Sequence, residues 1–375
     1  MKQLEKLGPG ALDGLGRELQ RLGVRKPLLV TGGASFERSG AQALLQPLLA
    51  SFEITHFHDF EPNPRLEDAL RGVEFLRAGG SDLLLAVGGG SVMDMAKLIR
   101  YGSIVPLDGG VAPPEHLTSA PPLIAVPTTS GSGSQATHFA VMYVGHTKTS
   151  VGHPEMLPEI AVVDPRLSAS QPPGLTASAG MDALSQAVES HWSIHATADS
   201  RSLAARALEQ VVPNLVAAVR EPNPANREAM AIGAHLAGQA INLTKTTAPH
   251  AISYPLTSFF DIPHGHAVAL TLPSVLRFNG RVEEGDVQDG RGLEHVRGAL
   301  GELARLLGAS DVEQAVGRLE QMMDEAGLER RLSALGLVRG DLDRVLENAF
   351  DPARVVNNPR KLTREALAEI LSGIL

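Results

Sequence analysis

"LLLAVGGGSVMDMAKLI", residues 83 to 99, decides the fold. A short apolar run ends in Gly88, Gly89, Gly90 and Ser91, and a helical pattern opens at once, with Asp94 and Lys97 on its first turns. A brief apolar stretch closed by glycine reads as a buried parallel strand. Glycines let a backbone come close to an anion, and the helix that follows presents unpaired N–H groups and positive potential. The plain alternative is a tight strand-to-helix turn, common to any α/β protein, and GGGS alone leaves the two readings balanced.

The neighbouring sequence repeats the strand signal. "PLLV" (27 to 30), "PLIAV" (122 to 126) and "IAVVD" (160 to 164) are equally short and flanked by turn residues. Helical stretches such as "RLEDALRGVEFLRAGG" lie between them, which predicts an α/β sheet with βαβ connections. "HFAVMYVGHTKTSV" (138 to 151) reads differently, as two β-rich pieces around Gly145 that form a hairpin. After "DPRLSASQPPG" the strand signals stop, and residues 176 to 375 read as helices broken by Pro and Gly. Thr363 is placed to cap the last of these, with Leu367, Ile370, Leu371 and Ile374 recurring at helical spacing. The expected layout is an α/β dinucleotide-binding domain over residues 1–170 and an all-helical domain over 171–375, with the site in the cleft between them.

A second loop strengthens the anion reading. "PTTSGSGSQATHF" (127 to 139) also follows a strand and carries Thr128, Thr129, Ser130, Ser132 and Ser134 among glycines. Hydroxyls and N–H groups at this density suit an oligophosphate or a nicotinamide better than a connection, so the two loops together favour a nucleotide site. Asn63, Asp94 and Lys148 are further cofactor candidates. No GxGxxG follows the first strand, where "LLVTGGASFERSG" stands, so the pyrophosphate is assigned to residues 88 to 91. Gly32 occupies the place where an acidic residue would take the ribose 2′-hydroxyl of NAD. With Ser35 and Arg38 nearby in sequence to meet a 2′-phosphate, NADPH, or both coenzymes, is expected in preference to NADH alone.

Composition narrows the class. The chain has 375 residues, enough for two sizeable cores, and 42 acidic against 33 basic residues give a net charge of -9. That balance argues against nucleic acid as a partner. There is no cysteine, which removes disulfides, thiolate metal sites and thiol nucleophiles. No apolar signal core or membrane-length run is present, so a soluble cytoplasmic enzyme with a small-molecule substrate is expected.

The helical half holds a second constellation. In "GMDALSQAVESHWS" (180 to 193), Asp182 and Gln186 are one turn apart and share a helix face. "APHAISYPLTSFFDIPHGHAVALTLP" (248 to 273) adds His250, His264 and His266 around a Pro-punctuated turn. Neutral imidazoles with a carboxylate suit Fe²⁺, Zn²⁺ or Mn²⁺, whereas the amide of Gln186 is a poor ligand for such ions. Hydrogen-bonded core histidines are the competing reading, and spacing alone leaves it open.

As a set, GGGSxxDxAK (88 to 97), PTTSGSGS (127 to 134), VDP (163 to 165), GMDAL (180 to 184) and PHG (263 to 265) resemble the iron-containing (group III) alcohol dehydrogenase family. "NNPRKLT" (357 to 363) is similar to that family's C-terminal segment, and the motifs stand in the family's order over most of the chain. The resemblance implies the two-domain fold shared with dehydroquinate synthase, reversible carbonyl reduction with NAD(P)H, and a homodimer. It also implies a divalent metal, Fe²⁺ first, held by Asp182, Gln186, His250 and His264. Two positions depart from the pattern: Gln186 where the family has His, and Tyr254 where many members have His before Pro-Leu. In the family an Asp often follows Val-Thr after the first strand, where Gly32 stands here.

"THFAVMYV", "SQAVESHWSIHATADSR" and "KTTAPHAISYPLTS" further resemble the branch that contains phosphonoacetaldehyde reductases. That implies a small aldehyde bearing a phosphonate dianion, reduced to 2-hydroxyethylphosphonate. A dianion is best met by Arg or Lys with hydroxyl donors, which makes Lys245 (beside Thr246 and Thr247), Arg201 and His138 the substrate-binding candidates. The expected mechanism is hydride transfer to the aldehyde carbon, the metal polarising the carbonyl oxygen. Gln186 would be a weak fourth ligand or hold a water on the metal, and His266 and Tyr254 would relay the proton. The alternatives are a dehydrogenase for a non-phosphonate alcohol, a dehydroquinate synthase-like lyase, and a non-catalytic dinucleotide-binding protein.

Overall fold

The computed structural model describes residues 3–107, 120–145, 147–350 and 355–375. The chain divides into two compact units: Met1–Gln171 with Asn223–His235, and Pro172–Pro222 with Leu236–Leu375.

The first unit is built on a six-stranded sheet, parallel at every pairing, in the order β1 (Leu4–Leu7), β8 (Ile160–Val163), β5 (Leu123–Pro127), β4 (Leu83–Gly88), β2 (Pro27–Thr31), β3 (Thr55–Phe57). Strand β4 is central and wholly buried. Its residues alternate between two cores, as a period of two requires. Leu84 and Ala86 join Leu28, Val30, Leu123 and Ala125 beneath α4 (Leu66–Gly79) and α5 (Gly90–Gly102). Leu83, Leu85 and Val87 join Ile124, Val126 and Ile160 beneath α1 (Leu15–Arg21) and α3 (Ala41–Leu49). Helices on both faces explain why these strands read as continuous apolar runs.

From β2 the chain moves to β3 on one side and then to β4 on the other, so the order reverses between β2 and β4. Such a switch leaves a crevice beyond the carboxyl ends of the strands. The glycine loop leaves β4 there, and Gly32 leaves β2. The expected hairpin forms between β6 (Phe139–Val144) and β7 (Thr147–Gly152). Strands β1 and β3 are absent from the sequence reading. Both are sheet edges of four and three residues, too short to show a period.

In the second unit, α6 (Pro173–Trp192) is buried along almost its whole length from Thr176. It packs against α7 (Ala198–Arg220), α10 (His264–Gly280) and α11 (Leu293–Leu306). Helix α9 (Ala248–Phe260) lies on α10, and α12 (Val312–Glu325), α13 (Leu342–Ala349) and α14 (Arg364–Gly373) complete the unit. Thr363 caps α14 as expected, accepting from the Ala366 N–H at 3.2 Å. The division differs from a single cut near residue 170. Helix α8 (Pro224–Thr244) gives its first half to the α/β unit, where Arg227 donates to the Gln171 carbonyl at 2.8 Å and His235 lies 3.4 Å from Glu5. Helical periodicity does not reveal which core a helix face joins. Among the described residues no helix is long and apolar enough to cross a membrane.

Candidate functional site

Helix α6 carries Asp182, Gln186 and Glu189 at i, i+4 and i+7, which is one face. His250 stands on the first turn of α9, and His264 is the first residue of α10. The turn between them follows from local chemistry. Asp261 adopts a left-handed φ of 53° that ends α9, and Pro263 precedes the first turn of α10. Gly265 then lets α10 meet α6 backbone to backbone. A Cβ there would lie 2.0 Å from the Ser178 carbonyl oxygen and 2.9 Å from Asp182 Cβ. That close approach seats His264 beside Asp182.

The ligand atoms of Asp182, His250 and His264 all lie within 4.8 Å of one another, the only such cluster among the described residues. Asp182 Oδ1 is buried, 3.3 Å from His250 Nε2, without the alignment of a hydrogen bond. The His250 and His264 rings meet edge-on at 5.5 Å. Two imidazoles and a carboxylate converging on one point, with His264 half-buried and the other two buried, are the donor set of a divalent transition metal. The residues present fit the ion.

The electrostatics agree. Burial would raise the Asp182 pKa, but the neighbouring imidazoles of His250 and His264 and a hydrogen bond from Gln186 hold it lowered. Burial would likewise lower that of His250, yet the carboxylates of Glu189 and Asp182 raise it to about 9. Gln186, itself buried, thus supports the carboxylate form of Asp182. Tyr254, one turn after His250 on α9, brings its ring to 6.4 Å from that of His264.

In the first unit the two polar loops adjoin. Thr128 N–H donates to the Gly88 carbonyl at 2.9 Å. An added Cβ on Gly89 would meet Thr129 at 3.4 Å, and one on Gly90 would meet Ser132 Oγ at 2.9 Å. Asn63, with φ 64°, donates its N–H to Ser91 Oγ at 3.2 Å. Gly32, Ser35 and Val92 lie together, since a Cβ on Gly32 would fall 2.7 Å from Ser35 Oγ and 3.4 Å from Val92. Most of the coenzyme candidates therefore gather at the switch point, and two others, Asp94 and Ser134, are bonded to each other. Asp94 is half-buried and accepts from Ser134 Oγ at 2.6 Å and Val141 N–H at 3.0 Å. Lys97, fully buried, donates to Ser134 Oγ, Thr137 Oγ1 and the Phe139 carbonyl, each at 2.8 Å. Asp94 and Ser134 thus hold the loop in shape from beneath. Lys148 acts electrostatically on Asp94 from β7.

The other expected residues have the following surroundings. Arg201 hydrogen-bonds weakly to the His191 carbonyl (3.4 Å) and approaches Glu302 (3.6 Å). His191 is nine residues beyond Asp182 on α6, roughly 13 Å along the axis. Lys245 is exposed just past the end of α8 with a left-handed φ of 60°; its N–H donates to the Ile241 carbonyl at 2.8 Å, and its ammonium makes no hydrogen bond or ion pair among the described residues. His138 belongs to the first unit, in a cleft with Gln3, Arg100, Glu155 and Glu159. His266, two residues past His264, points roughly 200° around α10, and its Nε2 is held by the Glu329 carbonyl at 2.7 Å. Burial lowers its pKa. Helical spacing alone could have flagged His266, since i and i+2 do not share a face. Glu189, Gly265 and Ser253 were missed. The i+7 spacing from Asp182 was the available signal for Glu189. Ser253 Oγ donates to the His250 carbonyl at 2.7 Å and lies 3.4 Å from His264 Nδ1, so it ties the two histidines.

Comparison with known proteins agrees with this arrangement. Residues 6–165 match the family model described as iron-containing alcohol dehydrogenase, and residues 176–375 that of the Fe-containing alcohol dehydrogenase family, C-terminal. A long-chain-alcohol dehydrogenase of Geobacillus thermodenitrificans is 34% identical, over 94% of this chain and 90% of its own. A phosphonoacetaldehyde reductase of Streptomyces viridochromogenes is 36% identical, over 82% and 85%. The crystal structure of sulfoacetaldehyde reductase from Bifidobacterium kashiwanohense in complex with NAD⁺ superposes with a TM-score of 0.86 at 30% identity, covering 99% of this chain and 96% of that one.

Proposed function

We propose a specific reaction for this chain, which belongs to the iron-containing alcohol dehydrogenase family and is an alcohol or aldehyde oxidoreductase working with NAD(P) and a divalent metal. The reaction is reduction of phosphonoacetaldehyde to 2-hydroxyethylphosphonate, with hydride from NADPH or NADH. The observation that carries the chemistry is the convergence of Asp182, His250 and His264. A divalent ion, Fe²⁺ first, supplies Lewis-acid polarisation of the carbonyl there.

The chain's own residues do the rest. The loops at 88 to 91 and 127 to 134 hold the coenzyme phosphates and nicotinamide through backbone N–H groups and hydroxyls. Gln186 helps keep Asp182 ionised by hydrogen bonding. Tyr254, beside His264, delivers the proton to the nascent alkoxide oxygen; His266, held by Glu329, does not. The substrate class rests on two relatives named for two-carbon aldehydes with a tetrahedral anionic group, phosphonate in one and sulfonate in the other. Neither Arg201 nor Lys245 supports it. A long-chain alcohol is the second reading, supported by the relative that is 34% identical over 94% of the chain. We take the assembly as a homodimer.

The test is a panel of phosphonoacetaldehyde, sulfoacetaldehyde and unbranched aldehydes with NADPH and NADH, on metal-stripped and metal-reloaded enzyme. The expected outcome is the highest kcat/KM for phosphonoacetaldehyde, lost on stripping and restored by Fe²⁺. Preference for a long unbranched aldehyde, with no competition by free phosphonate, refutes the substrate.

A further inference from the structure

Glu189 is fully buried on α6 and its two carboxylate oxygens have different tasks. Oε1 accepts from Thr247 N–H at 3.0 Å, Thr247 Oγ1 at 2.9 Å and His250 N–H at 3.3 Å. These are the N-terminal groups of α9, whose N-cap residue Thr247 makes no capping bond to its own helix. The Thr247 hydroxyl is itself fixed by Trp192 Nε1–H at 2.9 Å. Oε2 meets His250 Nδ1 directly.

We propose that Glu189 is the positioning residue of the metal site: it caps the helix that carries His250 and, by accepting from Nδ1–H, leaves Nε2 as the nitrogen that faces Asp182 and the ion. The rationale is tautomeric. A neutral imidazole carries one proton, so a carboxylate that accepts only, placed at Nδ1, directs that proton to Nδ1. The lone pair is then on Nε2, 3.3 Å from Asp182 Oδ1. Outer carboxylates of this kind orient a histidine ligand and raise its basicity. The inference rests on Asp182, His250 and His264 being the ligands and is independent of the substrate.

Glu189→Gln isolates the effect. Three donors converge on Oε1, so the amide oxygen must take that position and the NH₂ must face Nδ1. The helix cap survives, but the NH₂ donates to Nδ1 and forces the ring proton onto Nε2. We expect Zn²⁺ affinity, measured by chelator competition, to fall roughly 10–100-fold, while the melting temperature of metal-free protein stays close to wild type. In Zn²⁺-loaded wild-type protein labelled with ¹⁵N-histidine, His250 should show a protonated Nδ1 and a metal-bound Nε2. This second measurement does not depend on the variant folding. Wild-type Zn²⁺ affinity in Glu189→Gln, or a metal-bound Nδ1 in the wild type, overturns the proposal. His264→Ala is run alongside. Unchanged Zn²⁺ binding there overturns the ligand assignment itself, whereas loss there with none in Glu189→Gln removes the positioning role alone.

Discussion

Replacing Gly265 by alanine adds one methyl group at the point where α10 crosses α6. That carbon would stand 2.0 Å from the Ser178 carbonyl oxygen and 2.9 Å from Asp182 Cβ. The first obstacle is backbone and cannot rotate away, so α10 must retreat by more than about 1 Å before contact becomes ordinary. Overpacking of this kind costs on the order of 1–3 kcal/mol. The functional cost is larger, because His264 is the adjoining residue and moves with the helix. A displacement near 1 Å at a reacting centre lowers rates by about a hundredfold, and the loosened ligand lowers metal affinity by at least about tenfold.

The assay has three parts: metal content after dialysis, steady-state turnover with reloaded metal, and thermal melting. Gly298→Ala serves as the control. It lies inside α11 with nothing within 4 Å of the added methyl, and should stabilise the protein by about 0.5–1 kcal/mol. If Gly265→Ala retains metal and turns over like wild type, the claim that this glycine seats His264 is wrong.

Three further outcomes are expected. Lys97→Met strips the donor from Ser134 Oγ, Thr137 Oγ1 and the Phe139 carbonyl and removes a positive charge acting on Asp94, costing about 1–3 kcal/mol by denaturant titration; adding Asp94→Asn should recover part of that, and simple additivity would count against the coupling. Burial pushes the Lys97 pKa down to about 8 against the pull of Asp94. Between there and the ordinary 10.5 the unfolded chain holds a proton that the native chain has released, so this group's contribution to stability rises with pH. Lys97→Met should lack that rise. Gln186→His should tighten metal binding while lowering kcat/KM for phosphonoacetaldehyde; a gain of activity on simple aldehydes from almost nothing would mean a decayed site. Gly32→Asp should shift coenzyme preference toward NADH, the added Cβ meeting the rotatable Ser35 hydroxyl at 2.7 Å and Val92 at an ordinary 3.4 Å; a wild-type preference for NADH contradicts the reasoning.

The central strands were legible because a parallel sheet covered on both faces demands uninterrupted apolar runs, and 27 to 30, 83 to 87, 122 to 126 and 160 to 164 all supply one. The helical half was legible from period and punctuation. So were Asp182, His250 and His264, because their types and order match a family pattern. Local sequence could not show β1 and β3, whose few residues owe their conformation to the pairing partner. Nor could it show that half of α8 belongs to the first unit. Arg201 and Lys245 looked available near a histidine in sequence, but helix direction carried the first away and a left-handed residue left the second exposed. Asp94 was read as a cofactor ligand, and its bonds to the Ser134 hydroxyl and the Val141 N–H, formed across 40 and 47 residues, were not legible in the sequence. What only the tertiary structure decided is how the metal site is held: Gly265 by what its missing methyl would strike, Glu189 by accepting from a helix end 58 residues away. Residue type and spacing record which atoms can bind an ion. Orientation, tautomer and close approach depend on segments distant in sequence, and so exist only once the chain has folded.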